Sequence, residues 1–138
     1  MCLIPKKNQE FKRSVKAKSD IVVYKVLEIH YFTGGDFNNT ERVPKLLTPF
    51  RYQEITIGET YESNLIKNKY SGYIEKGLHS MADIEGAKDL IRAIDGRMIS
   101  FKVCKCVIPA GSNYYCGIFR DHISYASTKL KYIEAISL

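Results

Sequence analysis

The alternation of hydrophobic and polar residues predicts a protein built mainly from β-strands. Residues 21–32 are rich in β-branched and aromatic side chains, and residues 98–108 alternate apolar side chains with Lys and Cys. Further strands are predicted at 50–57, from Tyr114 onward, and at 129–136. Turn residues such as Gly and Pro separate these segments, so the strands are expected to be short and connected by tight turns.

One helix is predicted from about residue 83 to residue 95. Asp83 is an N-cap candidate, Gly96 fits a C-terminal stop, and apolar residues recur between them at helical spacing: Ile84, Ala87, Leu90, Ile91 and Ile94. Parallel strands need crossover helices, and only one firm helix is available. The expected class is therefore α+β, with a curved, mainly antiparallel sheet of five or six strands packed on this helix.

The segments between these elements are predicted to be loops. Residues 37–47 are polar and irregular, which indicates a loop with a short helical turn. Residues 77–80, Gly-Leu-His-Ser, are interpreted as a loop ahead of the helix, where a rigid element would hold a site. Residues 61–69 are compatible with either strand or loop, and a loop through residues 120–122 is expected to lead to the last strand.

The length of 138 residues predicts one domain, and its charge is unevenly distributed. The net charge is +6, of which +4 lies within residues 1–20. We therefore divide the chain into a basic N-terminal arm, 1–20, and a single α+β domain, 21–138. Such an arm would make at most a weak nucleic-acid contact through phosphate neutralisation.

The apolar runs are too short to cross a bilayer, and no signal-peptide core is visible, so we expect a cytoplasmic protein without a membrane partner.

Four cysteines raise the question of a metal site. Cys104 and Cys106 would share one face of a strand, and Cys116 with His122 or His79 would have to complete a zinc site. Their spacing is not that of a zinc knuckle or ribbon, and reduced thiols are common core residues. We therefore expect core thiols, with no metal and no cofactor.

Nucleophilic catalysis would require a Ser or Cys, a His base and an orienting carboxylate. Cys116 with His122 and Asp121, or His79 with Ser80, have the right residue types. Residues adjacent in sequence rarely direct both side chains at one reacting atom, and no phosphate-binding or dinucleotide-binding glycine motif is present. The sequence therefore predicts no catalytic residue.

Seven segments spread over nearly the whole chain carry a resemblance: Met1-Cys2-Leu3, residues 20–27, 48–51, 58–61, 77–80, 108–115 and 125–127. Their order resembles a small family found in bacteriophages and gut-type bacteria. The resemblance implies a phage or prophage accessory protein with no settled activity. It brings no functional residues that could be transferred to this chain.

A second resemblance concerns enzymes. Residues 23–26, 77–80 and 125–128 loosely resemble the order of elements in ADP-ribosyltransferase-like folds, which bind NAD between split sheets. Lys25 stands where such families have His or Arg, and Glu134 is the only late glutamate that could serve as the catalytic one. An NAD-using enzyme is therefore the alternative function, on fold-level analogy.

Aromatic and polar residues at strand ends and turns form the predicted ligand-binding set: Arg51, Tyr52, His79, Ser80, Tyr114, Tyr115, Arg120 and Tyr125. Tyr rings stack on bases, and Arg pairs bidentately with phosphate. We expect a binding protein of phage anti-defence type that sequesters a small anionic nucleotide-like ligand without turnover, in a cleft lined by Tyr114, Tyr115, Arg51 and His79.

Two other possibilities stay open from the sequence: that the protein covers a host protein surface, and that it forms a homo-oligomer. The competing interpretation is that most of these tyrosines are half-buried sheet residues and that His79 is a structural hydrogen-bonding residue.

Overall fold

The structure, a computed structural model, describes residues 4–5, 14–33, 42–49, 51–68, 70, 73–94 and 100–137. Within these ranges the secondary-structure elements are β1 (Ile4–Pro5), β2 (Val15–Lys16), β3 (Ile21–Thr33), β4 (Arg42–Leu47), β5 (Glu54–Ile55), β6 (Thr60–Glu62), β7 (Ile66–Lys67), β8 (Ile74–Lys76), β9 (Leu78–Met81), α1 (Ile84–Ile94), β10 (Ser100–Ile108), β11 (Asn113–Phe119), β12 (His122–Ser127) and β13 (Lys129–Ile136). No helix in this part of the chain has the length and apolar character needed to cross a membrane.

Eleven of the strands form one sheet. The order across it is β1, β11, β12, β9, β3, β10, β13 and β6, while β2 pairs with β11, and β4 lies between β3 and β5. All pairs between the described strands are antiparallel, and β7 and β8 form a separate hairpin. The predicted α+β class, with a mainly antiparallel sheet and one helix, is confirmed. The predicted number of five or six strands is wrong.

The missed strands are short or lack an alternating apolar pattern. β2, β6 and β7 have two or three residues each, which is too few for a periodic signal. Among its described residues, the strand predicted at 50–57 is a strand only at Glu54–Ile55, so its predicted bounds are wrong. β12 buries small residues, Ser124, Ala126 and Ser127, so its inward positions do not stand out as apolar. Two predicted loops are also strands: the end of 37–47 pairs with β3 as β4, and 78–81 pairs with β12 as β9. In both, backbone pairing with a neighbour overrides weak local propensity.

The long strand β3 is the centre of the main core. Nine of its residues pair with β10 on one side, and every second side chain, including Val23 and Leu27, points into the concave face of the sheet. The buried cluster on this face draws residues from β3, β5, β10 and β13: Val23, Leu27, Ile55, Cys104, Cys106, Ile108, Leu130 and Tyr132. Since β3, β10 and β13 are neighbours in the sheet and β4 links β3 to β5, this cluster covers one continuous part of the sheet.

The helix packs on the opposite face of β3 and β10. Ala87 and Leu90 contact Val26 and Val103 in a second buried cluster. The predicted N-cap is confirmed, because Asp83 Oδ1 accepts a hydrogen bond of 2.8 Å from the N–H of Gly86. The helix approaches β9 closely at Gly86, where a Cβ would lie 3.0 Å from Met81 Cε. An added methyl group at Gly86 would therefore require Met81 Cε and its neighbours to shift by a few tenths of an ångström.

Asp83→Ala is expected to lower the free energy of unfolding by about 1 kcal/mol, because one N-terminal N–H of the helix loses its acceptor. Chemical denaturation followed by circular dichroism measures this loss. Glu85→Ala, an exposed acid in the same turn, is the control. Equal stability of Asp83→Ala and the unaltered protein would show that the cap contributes nothing.

The described part of the predicted N-terminal arm lies against the sheet. β2 pairs with β11, and the N–H of Ala17 donates to Ser112 O at 2.8 Å while Ala17 O accepts from Gly111. The side chain of Ala17 is buried. Residues 14–20 thus share the body's hydrogen-bond network, although their composition shows no apolar periodicity.

Candidate functional site

The sheet divides beside the middle of β3. On the side away from β10, β9 pairs with β3 only at Met81 and Tyr24, and β4 joins from Glu28 onward. Residues 25–27 therefore have no paired strand on that side within the described chain. We call this gap between β9 and β4 the seam.

A cavity of about 70 Å³ lies at the seam. Three segments and two single residues line it: Tyr24, Lys25 and Val26 of β3; Thr48, Pro49, Arg51 and Gln53 after β4; Gly77, Leu78, His79, Ser80 and Met81 at β9; and Leu90 and Tyr132. This volume is several times the roughly 10–15 Å³ that one water needs, and well below the roughly 300 Å³ at which pockets for drug-sized ligands begin. The cavity therefore fits a small group rather than a whole dinucleotide.

Lys25 projects from β3 into the seam. Its Nζ donates a hydrogen bond of 2.7 Å to the backbone carbonyl of His79. The lysine thus supplies a donor to β9 at a point where the strands have separated and no ladder bond is made. Burial lowers the pKa of the Lys25 amine from 10.5 to about 8, against a smaller opposing effect of Cys106.

His79 and Ser80 bring unsatisfied polar atoms to the cavity. His79 Nδ1 and Ser80 Oγ are buried and have no hydrogen-bond partner among the described residues. Burial, followed by the charges of Lys25 and Arg51, lowers the pKa of His79 to about 3, so its imidazole is neutral at physiological pH. Buried polar groups are normally hydrogen-bonded, and Ser80 lies on the same face of the sheet as Lys25, so Ser80 Oγ indicates a place where a ligand would supply the missing partner.

Arg51 stands at the outer rim. A turn holds it there: Thr48 O accepts from Tyr52 N at 2.9 Å, and Thr48 Oγ1 accepts from Gln53 N at 3.0 Å. The guanidinium is exposed and donates to Glu75 O at 3.3 Å. With Lys25 inside and Arg51 outside, the lining carries two cationic side chains and no carboxylate.

The structure brings together three of the eight residues predicted to bind ligand. Arg51, His79 and Ser80 line the seam cavity. Tyr52 follows Arg51 in the rim turn with a positive φ of 54°, and its ring, 48% exposed, contacts His30 edge-on. It lies beside the cavity without lining it.

The other predicted residues are not among those that line the seam cavity. Tyr114 and Tyr125 pack edge to face at 5.8 Å on β11 and β12. Tyr115 is buried with Ile74, and Arg120 is exposed in the β11–β12 turn. The cavity is lined mainly by β3, β9 and the segment after β4, whereas these residues lie on the β11–β12 hairpin, whose pairing the sequence pattern does not reveal.

The main residue that the sequence reasoning left out of the site is Lys25. The sequence analysis names Lys25 only as a departure from the NAD-binding families. A signal was present, because the alternation of β3 places Lys25 on the same face as Val23 and Leu27. A lysine at an inward position needs a partner or a function.

The described residues that the sequence analysis considered for catalysis or metal binding are not arranged for either role. His79 and Ser80 are consecutive residues of β9, so their side chains point to opposite faces of the sheet. His122 Nε2 lies 2.9 Å from Asp89 Oδ2 of the helix, and that contact, with Arg92, lowers the pKa of Asp89. Cys104 and Cys106 are buried, and the described chain contains no group of three His, Cys, Asp or Glu residues suited to a metal. Glu134 is exposed on β13.

Comparisons with protein-family models, curated proteins and solved structures find no match for this chain.

Proposed function

We propose that the protein binds a small anionic, nucleotide-like ligand without turnover, with a phosphate group of the ligand in the seam cavity. The observation that carries this proposal is the charge of the lining: Lys25 and Arg51 are opposed by no lining carboxylate. An anion entering this site would gain charge-assisted hydrogen bonds in a partly desolvated environment, where such bonds are strongest.

The unsatisfied polar atoms support the same ligand class. A phosphate offers several acceptor oxygens, which the Lys25 ammonium, the Arg51 guanidinium and the Ser80 hydroxyl can each serve as donors. The cavity takes a phosphate-sized group only, so the sugar and base would lie outside it, at the rim that carries Arg51 and the exposed ring of Tyr52. Stacking of a base on such a ring is worth about 1–3 kcal/mol.

Sequestration is favoured over NAD chemistry because the cavity lining has no acid that could stabilise a transferase reaction, and Glu134 is exposed outside it. A phage anti-defence role stays a prediction from the sequence resemblance. So do a cytoplasmic location and the alternative of covering a host protein surface.

The test is a thermal-shift and calorimetry panel that pairs each phosphate with its uncharged parent. We expect AMP to raise the melting midpoint and adenosine to leave it unchanged, since only AMP carries the group that the cavity binds. A ligand at a hundredfold excess over its Kd adds about 2.7 kcal/mol of stability. Cyclic mono-, di- and trinucleotides, ADP-ribose and NAD complete the panel, and each is recovered to see whether it is intact. Consumption of NAD would support the alternative function, an NAD-using enzyme.

Two arginine variants localise the site. Arg51→Gln is expected to weaken AMP binding at least about tenfold, because a charge-assisted pair is worth about 1.5–3 kcal/mol. Arg120→Gln removes an equally exposed arginine away from the cavity and should bind AMP normally. Binding lost in Arg120→Gln but kept in Arg51→Gln would place the ligand outside the seam and contradict the proposal.

A further inference from the structure

Lys25 combines features that a phosphate site alone does not require. Its amine is desolvated at the inner end of a cavity whose rim carries the cationic Arg51. Removing a lysine amine from water in a pocket is one recurring way of activating it as a nucleophile.

We propose that Lys25 forms an imine with a small carbonyl compound that carries an anionic group, a 2-oxo acid being the class that fits best. Arg51 would hold the carboxylate at the rim while the carbonyl carbon lies against Nζ. The inference rests on the proposed anion site and deepens it by naming a covalent ligand class. A cavity of about 70 Å³ admits a molecule of a few heavy atoms, which a short 2-oxo acid is.

The step is a condensation that needs no oxidant or reductant. The lone pair of the neutral amine forms a bond to the carbonyl carbon, and the C=O π electrons move to oxygen. The resulting carbinolamine loses its hydroxyl group and one proton from nitrogen as water, which leaves a C=N bond. The anionic group takes no part in bond making, and only positions the carbonyl.

One neighbour suits the developing charge of this step. The pairing of Met81 with Tyr24 places Ser80 and Lys25 on the same face of the sheet. Ser80 Oγ is buried without a partner among the described residues, and it can hydrogen-bond the carbonyl oxygen as charge develops on it. The pKa of about 8 for Lys25 leaves far more free amine at neutral pH than an ordinary lysine has.

The experiment is reductive trapping with glyoxylate and cyanoborohydride at neutral pH, read by intact mass and peptide mapping. We expect one carboxymethyl group to be added at Lys25, at least about tenfold faster than at any other lysine. Acetaldehyde, which lacks the carboxylate, should label Lys25 more slowly than glyoxylate does. Labelling spread evenly over surface lysines, or absent at Lys25, would overturn the proposal.

Variants and a competitor complete the design. Lys25→Arg keeps the charge but cannot form the imine, and Lys131→Arg alters an exposed lysine of β13 as the matched control. If Lys25→Arg does not fold, peptide mapping of the unaltered protein still decides the site.

AMP should protect Lys25 from glyoxylate. Binding of AMP without any adduct at Lys25 would refute the imine and leave the anion site standing. Labelling by glyoxylate and acetaldehyde at equal rates, with no protection by AMP, would refute the anion site.

Discussion

Leu90→Asp is expected to abolish the folded state or reduce its stability by several kcal/mol. Leu90 is 4% exposed and packs with Ala87, Val26 and Val103 where the helix meets β3 and β10. An aspartate there would leave a charge buried without a partner, in place of a core contact. Since small domains have only about 5–15 kcal/mol of total stability, a loss of this size removes a large share of it.

Urea denaturation and near-ultraviolet circular dichroism measure this effect. Two variants of the same helix are the controls. Leu90→Met keeps the volume and should cost less than about 1.5 kcal/mol, and Ala93→Asp places the same charge at an exposed position, where the cost is expected to be within about 1 kcal/mol. A Leu90→Asp protein that melts at the original midpoint would show that the helix does not cover this core.

Lys25→Met is expected to change how stability depends on pH. The folded pKa of about 8 lies below the value of 10.5 for an ordinary lysine, so between these values the unfolded chain holds a proton that the folded chain has released. Stability contributed by Lys25 therefore rises with pH through this window and is level below it. Between about pH 7 and about pH 11, the difference in unfolding free energy between the original protein and the variant should shift by about 3 kcal/mol in favour of the original.

Other groups titrate in both proteins and cancel in this difference. Lys131→Met, at an exposed position of β13, reports how much of the shift any lost lysine would produce. A difference that stays constant across the window would contradict a desolvated Lys25. A difference that moves in favour of the variant would mean that folding raises the lysine's pKa instead.

The sequence predicts those elements whose signals are local. The helix has an N-cap and an amphipathic period within a dozen residues, so its extent of Ile84–Ile94 follows closely, while the predicted stop at Gly96 lies outside the described residues. The last strand, Lys129–Ile136, and the long strand Ile21–Thr33 are likewise recognised from β-branched and aromatic residues. Strands of two residues such as β2 depend on pairing with a neighbour, which a residue window cannot show.

The site is harder to predict for the same reason. Its walls come from residues 24–26, 48–53 and 77–81, and only the fold brings these segments together. Arg51 and His79 could be chosen from residue type, but Tyr114, Tyr115 and Tyr125, chosen by the same reasoning, lie on β11 and β12 and do not line the cavity. The alternation of β3 places Lys25 on the inward face, where a lysine needs a polar partner. Lys25 could therefore also have been predicted from the sequence.

The single pair between Met81 and Tyr24 makes the seam mechanically compliant. β10 holds β3 by nine residue pairs, whereas one pair ties β9 to β3 within the described strands. Rotating the β9 side of the sheet outward would break that pair, the Lys25–His79 hydrogen bond and the packing of Leu78 on the main core, while the helix stays packed over both sides. A molecule larger than the cavity of about 70 Å³ would therefore have to displace these contacts to enter.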